Sequence, residues 1–92
     1  MKEYKEFAFY YMIREVELLF RNLNNFYEKP RTWKIKMFFN EIQDCQRSII
    51  HYKSFFQGLD DEMVKEMESF WKLIISIKEE MEDTIQRKRF DY

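Results

Sequence analysis

The stretch from residue 35 to residue 56, IKMFFNEIQDCQRSIIHYKSFF, places apolar side chains at Ile35, Phe38, Ile42, Cys45, Ile49, Tyr52 and Phe56. The positions alternate intervals of three and four residues, the spacing that keeps side chains on one side of a helix of about 3.6 residues per turn. A strand would need alternation at every second residue, and the segment has none. It therefore reads as one long amphipathic helix with a continuous apolar stripe.

On its C-terminal side the sequence breaks at Gly58-Leu59-Asp60. Gly58 can adopt the left-handed conformation that closes a helix, Asp60 can cap the next one, and Leu59 can pack on Val64 as a hydrophobic staple. Beyond the break, Met63, Met67, Phe70, Ile74, Ile77, Met81 and Ile85 repeat the spacing, widened by Val64, Trp71 and Ile75. On the N-terminal side the only proline, Pro30, disfavours helix at Lys29, and Thr32 can cap the helix that follows. Before it, Phe9, Met12, Ile13, Val16, Leu19, Phe20, Leu23, Phe26 and Tyr27 form a third, broader stripe. Pairs spaced four apart with the acid first, Glu17 with Arg21, Glu68 with Lys72 and Asp83 with Arg87, suit a helix surface.

The reading is all-α: three long antiparallel helices over about 2–28, 32–57 and 60–89, running up, down, up in a single domain spanning residues 1–92. A chain of 92 residues hides only roughly 60 to 65% of its unfolded surface. With a single cysteine, Cys45, no disulfide can form within the chain, so oligomerisation is the expected completion of the bundle. The lone cysteine and the absence of a secretion signal or a bilayer-spanning apolar run point to a reducing cytoplasm. The skew toward Lys, Ile, Phe, Tyr, Met and Asn suits AT-rich coding, as in low-GC bacteria and their phages or plasmids, in which case the compartment is the host cytoplasm.

Formal net charge is -1, with 36% charged residues, so nucleic acid or an anionic membrane exerts little pull on the molecule as a whole. A membrane partner is not expected, because acids occur on every helix and no basic polar face exists. The aromatic content of 20% exceeds what one core consumes. With the main stripe of the first helix set at zero, Tyr4, Phe7, Tyr11 and Leu18 fall toward the opposite side, and Trp33, Met37 and Phe55 lie away from the stripe of the second helix. These seven are the candidate partner-binding residues. The expected partner is a second copy, most simply in a homodimer, or another protein.

An up-down-up bundle also gathers Lys29, Arg31, Lys34, Lys36, Arg87, Lys88 and Arg89 at one end, among Tyr27, Trp33, Phe90 and Tyr92. Cations interleaved with aromatics are what a nucleotide or other anion requires. The same cations complement helix C-terminal dipoles, which makes anion or nucleotide binding the alternative function.

Catalytic residues are not expected. The only histidine, His51, shares one helical side with Ser48 and Asp44, but neighbours on one straight helix lack convergent geometry, and a single glycine provides no oxyanion-holding turn. Arg47 and His51, with three residues between them, resemble the Arg-to-His signature of the helical ribonucleases of toxin systems. That signature normally has more intervening residues, and no activity is carried over from it. Cys45 and His51 point to different sides of the helix, so neither a metal nor a cofactor is expected, and Cys45 reads as a buried small hydrophobe. The expectation is a non-enzymatic interaction module, an inhibitor or adaptor of the kind phages and mobile elements encode, acting by stoichiometric binding.

Overall fold

The computed structural model describes residues 2–28 and 32–88, apart from the side chains of Thr32, Trp33 and Lys88. Three helices follow one another, α1 (Lys2–Glu28), α2 (Thr32–Phe56) and α3 (Asp61–Lys88), with no strand among the described residues. All three pairs pack against one another, and the bundle measures 47 × 18 × 15 Å. It is a three-helix rod whose core runs its whole length.

The apolar stripes account for this shape. All seven stripe residues of α2 are buried, from Ile35 to Phe56. In α3 the stripe residues Met63, Met67, Phe70, Ile74, Ile77 and Met81 are buried as well, and Val64, Trp71 and Ile85 pack half-buried on the core. The α1 stripe is shifted. Ala8, Met12, Val16, Leu19, Leu23 and Phe26 are buried, while Phe9, Ile13 and Tyr27 are half-buried against α3. Phe20, expected in the stripe, is 45% exposed. It shares a side of α1 with Ile13 and Tyr27, seven residues from each, and is the one of the three left exposed.

The loop between α2 and α3 follows from its sequence. The Leu59 N–H donates to the Phe56 carbonyl at 2.9 Å, as does that of Asp60, and Gly58 takes the required positive φ of 82°. Asp60 caps α3, its Oδ1 accepting the Met63 N–H at 3.2 Å. The expected staple from Leu59 to Val64 does not form. Leu59 is 63% exposed, because the turn that frees Gly58 carries the next side chain outward.

Both ends of the rod are tied. At one, Lys5 of α1 reaches the loop, with Nζ 3.0 Å from Asp60 and 3.7 Å from Glu62. At the other, the Tyr27 hydroxyl donates to Glu80 at 2.8 Å and lies 3.3 Å from the Thr84 hydroxyl. Thr84 is buried because its hydroxyl donates to the Glu80 carbonyl at 2.8 Å, which removes the cost of an unpaired polar group. Of the expected surface pairs, Asp83 and Arg87 meet. Glu68 turns instead to Lys53 of α2, at 3.3 Å.

Ile74 is fully buried where the three helices meet, whereas its neighbour Leu73 is largely in solvent. Ile74→Ala should cost about 2–5 kcal/mol and Leu73→Ala under about 1 kcal/mol, as read by urea denaturation. A smaller difference between the two would contradict the position of the core.

The Lys5 hydrogen bond, followed by that of the Met63 amide, holds the Asp60 carboxyl below its ordinary value of 3.8. A lowered acid contributes stability above its ordinary pKa and loses it as the pH falls through the folded value. The difference in melting temperature between the wild type and Asp60→Asn should therefore be steady near neutrality and shrink on acidification below 3.8.

Candidate functional site

Successive helix positions are about 100° apart, so the contacts between helices fix which side of each one looks outward. Glu15 and Asn22 mark the α2 side of α1, since Cys45 donates to Glu15 at 3.8 Å and Asn22 to Glu41 at 2.6 Å. Phe9 marks its α3 side, 5.9 Å from Phe70 between ring centroids. Phe7, Tyr11 and Leu18 lie just past Glu15 and Asn22, on the outer surface shared with α2. Met37 and Phe55 occupy the matching surface of α2. These five residues, read from the sequence as backs of separate helices, lie on one face of the bundle. Trp33 belongs to the same set, but its side chain lies outside the described residues.

Tyr4 differs from the others. It is half-buried on the core, with its ring 4.5 Å from Phe55, 5.7 Å from Phe56 and 6.0 Å from Tyr52. It works as the floor of the face rather than its surface. Around it Phe7 stacks on Tyr11 at 6.1 Å, and Tyr11 meets Tyr52 edge-on at 6.0 Å. Phe7 is 59% exposed and Met37 51%, while Tyr11, Leu18 and Phe55 are each somewhat more than a third exposed. Contacts between rings narrow the arrangements open to the aromatic end, which lowers the side-chain entropy lost on docking.

The face continues along the seam in two shallow grooves. One is lined by Leu18, Glu15, Asn22, Glu41 and Asp44. The other, a cleft of about 190 Å³, is lined by Asn25, Phe26, Lys34, Met37 and Phe38 together with Asn22 and Glu41. Sequence reading did not pick out Asn22 and Glu41. Their polar bond bridges two helices, and only their matching levels on α1 and α2 could have indicated it.

Of the cations expected at the opposite pole, the three that are described are dispersed. Lys34 lines the α1–α2 cleft, and Lys36, two residues on, projects about 200° away from it. Arg87 pairs with Asp83 beside the Tyr27–Glu80 bond. These three described cations share no common surface. Lys29, Arg31 and Arg89 lie outside the described residues, as does the side chain of Lys88.

His51 and Asp44 each face another side chain. His51 Nε2 lies 3.3 Å from the Tyr4 hydroxyl, and Asp44 faces Arg47 at 3.6 Å. No cluster of three or more potential metal ligands occurs among the described residues, and no buried side-chain nitrogen or oxygen there lacks a hydrogen-bond partner. No described helix is long and apolar enough to cross a membrane. No family model matches the chain, and no curated protein or solved structure is significantly similar to it.

Cys45 is buried in the α2 stripe. Burial, reinforced by the adjacent Glu15 carboxylate, pushes its thiol up to about 12 from an ordinary 9.0. At mildly alkaline pH the folded chain thus holds roughly a thousandfold less thiolate than the unfolded one. Iodoacetamide should leave native Cys45 unmodified over the time in which urea-unfolded protein is fully alkylated; equal rates would place the thiol at the surface.

Proposed function

We propose that this chain is a non-enzymatic binding module that engages a protein surface through the α1–α2 face. The observation that carries the reading is the concentration of exposed apolar side chains there. Phe7, Tyr11, Leu18, Met37 and Phe55 are half of the ten large apolar side chains left exposed among the described residues, and they lie on one face. Scattered surface aromatics need no explanation, but contiguous patches on a monomer mark interaction sites. The rings rest on Tyr4 and Tyr52, and rigid aromatic anchors surrounded by polar groups are the anatomy of an interface hot spot.

Binding rather than catalysis also accords with the engagement of the few reactive groups. His51 is bonded to Tyr4, Asp44 faces Arg47, and the Cys45 thiol is buried and held protonated. A stoichiometric inhibitor or adaptor needs only the face. The anion-binding alternative draws no support from Lys34, Lys36 and Arg87, which diverge.

The test is affinity capture from the source cells with the tagged chain and with a Phe7→Glu/Phe55→Glu chain that keeps the wild-type helix content by circular dichroism. The wild type should retain a stoichiometric protein, other chains of its own kind included, and the double variant should lose it. Retention by both would remove the α1–α2 face from the interaction.

A further inference from the structure

We infer that the occupant of the α1–α2 face is a second copy of this chain, turned about a two-fold axis parallel to the long axis of the bundle, so that α1 of each copy lies against α2 of the other. The inference rests on the reading of this face as a protein-binding surface, and adds the partner and its orientation.

The outward ridge of α1 runs Phe7, Tyr11, Arg14, Leu18, Arg21, Asn25, and that of α2 runs Met37, Glu41, Asp44, Ser48, then Phe55 one heptad further. Both ridges carry apolar side chains toward their ends and at Leu18, with polar ones between. Such ridges can interdigitate with those of another pair of helices laid along them.

Charge favours a second copy as well. Midway along the face α1 presents two exposed cations, Arg14 and Arg21, and α2 two acids, exposed Asp44 and half-exposed Glu41, with half-buried Glu15 of α1 at the seam between them. Contacts within the chain set the levels. Tyr4 meets Phe55 at 4.5 Å, Cys45 meets Glu15 at 3.8 Å and Asn22 meets Glu41 at 2.6 Å, so residues of α1 and α2 whose numbers sum to about 60 lie side by side. A two-fold axis along the rod preserves those levels across the interface. Arg21 then faces the partner's Glu41 within about 1.5–3 Å of axial rise, and Arg14 faces the partner's Asp44 within one turn. At the aromatic end Phe7 meets the partner's Phe55. Asp44 gives up only its pairing with Arg47, an exposed contact at 3.6 Å that is worth little in water. A two-fold axis across the rod, midway along the face, would instead set Arg14 against the partner's Arg21 and Glu41 against the partner's Asp44, which is repulsive.

The other two faces lack this match. Between α1 and α3, where Phe20 and Leu73 are also exposed, both ridges carry acids, Glu6 and Glu17 on one and Glu62 and Glu80 on the other. Between α2 and α3 the Lys53–Glu68 bridge spans the seam, and Ile50 is the main exposed apolar side chain described there. A side of the 47 by 18 Å rod offers on the order of 800 Å², the area each partner contributes to a stable interface of standard size.

The test is sedimentation equilibrium of the full chain with charge-reversed variants. The wild type should be dimeric at tens of micromolar. Arg21→Glu and Glu41→Arg should each raise the dimer Kd roughly tenfold or more, and the chain carrying both should recover wild-type affinity, because the pair is re-formed with its signs exchanged. Orientation is read from a spin label on Gln57→Cys in a Cys45→Ser background. The two labels of a dimer, which project away from the interface, should lie within roughly 35 Å of each other, about three helix diameters, whereas the crosswise arrangement separates them by nearly the 47 Å length of the rod.

A monomeric wild type overturns the inference whatever the variants do, as does a dimer that the double reversal fails to restore or whose labels sit at the long distance. A monomer that still captures another protein in a manner dependent on Phe7 and Phe55 overturns the second-copy occupant alone and leaves the binding-module reading standing. Loss of both dimer and capture overturns both.

Discussion

Removal of apolar side chains from water along one continuous seam is the constraint from which the remaining features derive. From Ala8 to Met81 the buried residues recur on the inner side of every helix, and no described strand or metal cluster shares the task. A core this narrow hides one direction of each helix and leaves the rest outside. Whatever apolar area the sequence holds in excess must then appear on a lateral face, and the sequence holds a good deal.

Polar contacts play a subordinate, positional part. Lys5 with Asp60 at one end and Tyr27 with Glu80 and Thr84 at the other are long-range in sequence, and they fix the axial register of α1 against the hairpin made by α2 and α3. Exposed ion pairs add little stability. Register matters more, because sliding α1 by one turn would separate Tyr4 from Phe55 and dismantle the aromatic floor on which Phe7 and Tyr11 rest.

Much of the fold was legible in the sequence, since helical periodicity depends only on neighbours within the same segment. The α2 stripe shows this best: each of its seven residues is buried, because it is the one apolar line that runs unbroken along the described length of the helix. In α1 the apolar residues spread over more than half the circumference, and periodicity alone could not choose between Ala8 and Phe20. Packing against α2 and α3 chose Ala8 for the core. Thr84 was missed because a buried hydroxyl carries no apolar signal; only the opposing Tyr27 explains it. For the candidate site the residue types were readable and their common location was not. Tyr4, Phe7, Tyr11 and Leu18 read as the far side of α1. Whether that side adjoins α2, adjoins α3 or stands alone depends on the angle each helix presents to both others, which no single segment encodes.

Three is an odd number, and this sets how the rod can serve within anything larger. α1 begins beside the Gly58 turn and α3 finishes beside Tyr27, so the two outer helices open at opposite poles about 47 Å apart. Anything joined before α1 is thereby held away from anything joined after α3 by a stiff strut, with the lateral aromatic face unobstructed between them. A two-helix or four-helix arrangement would bring both attachments to one end and lose that separation.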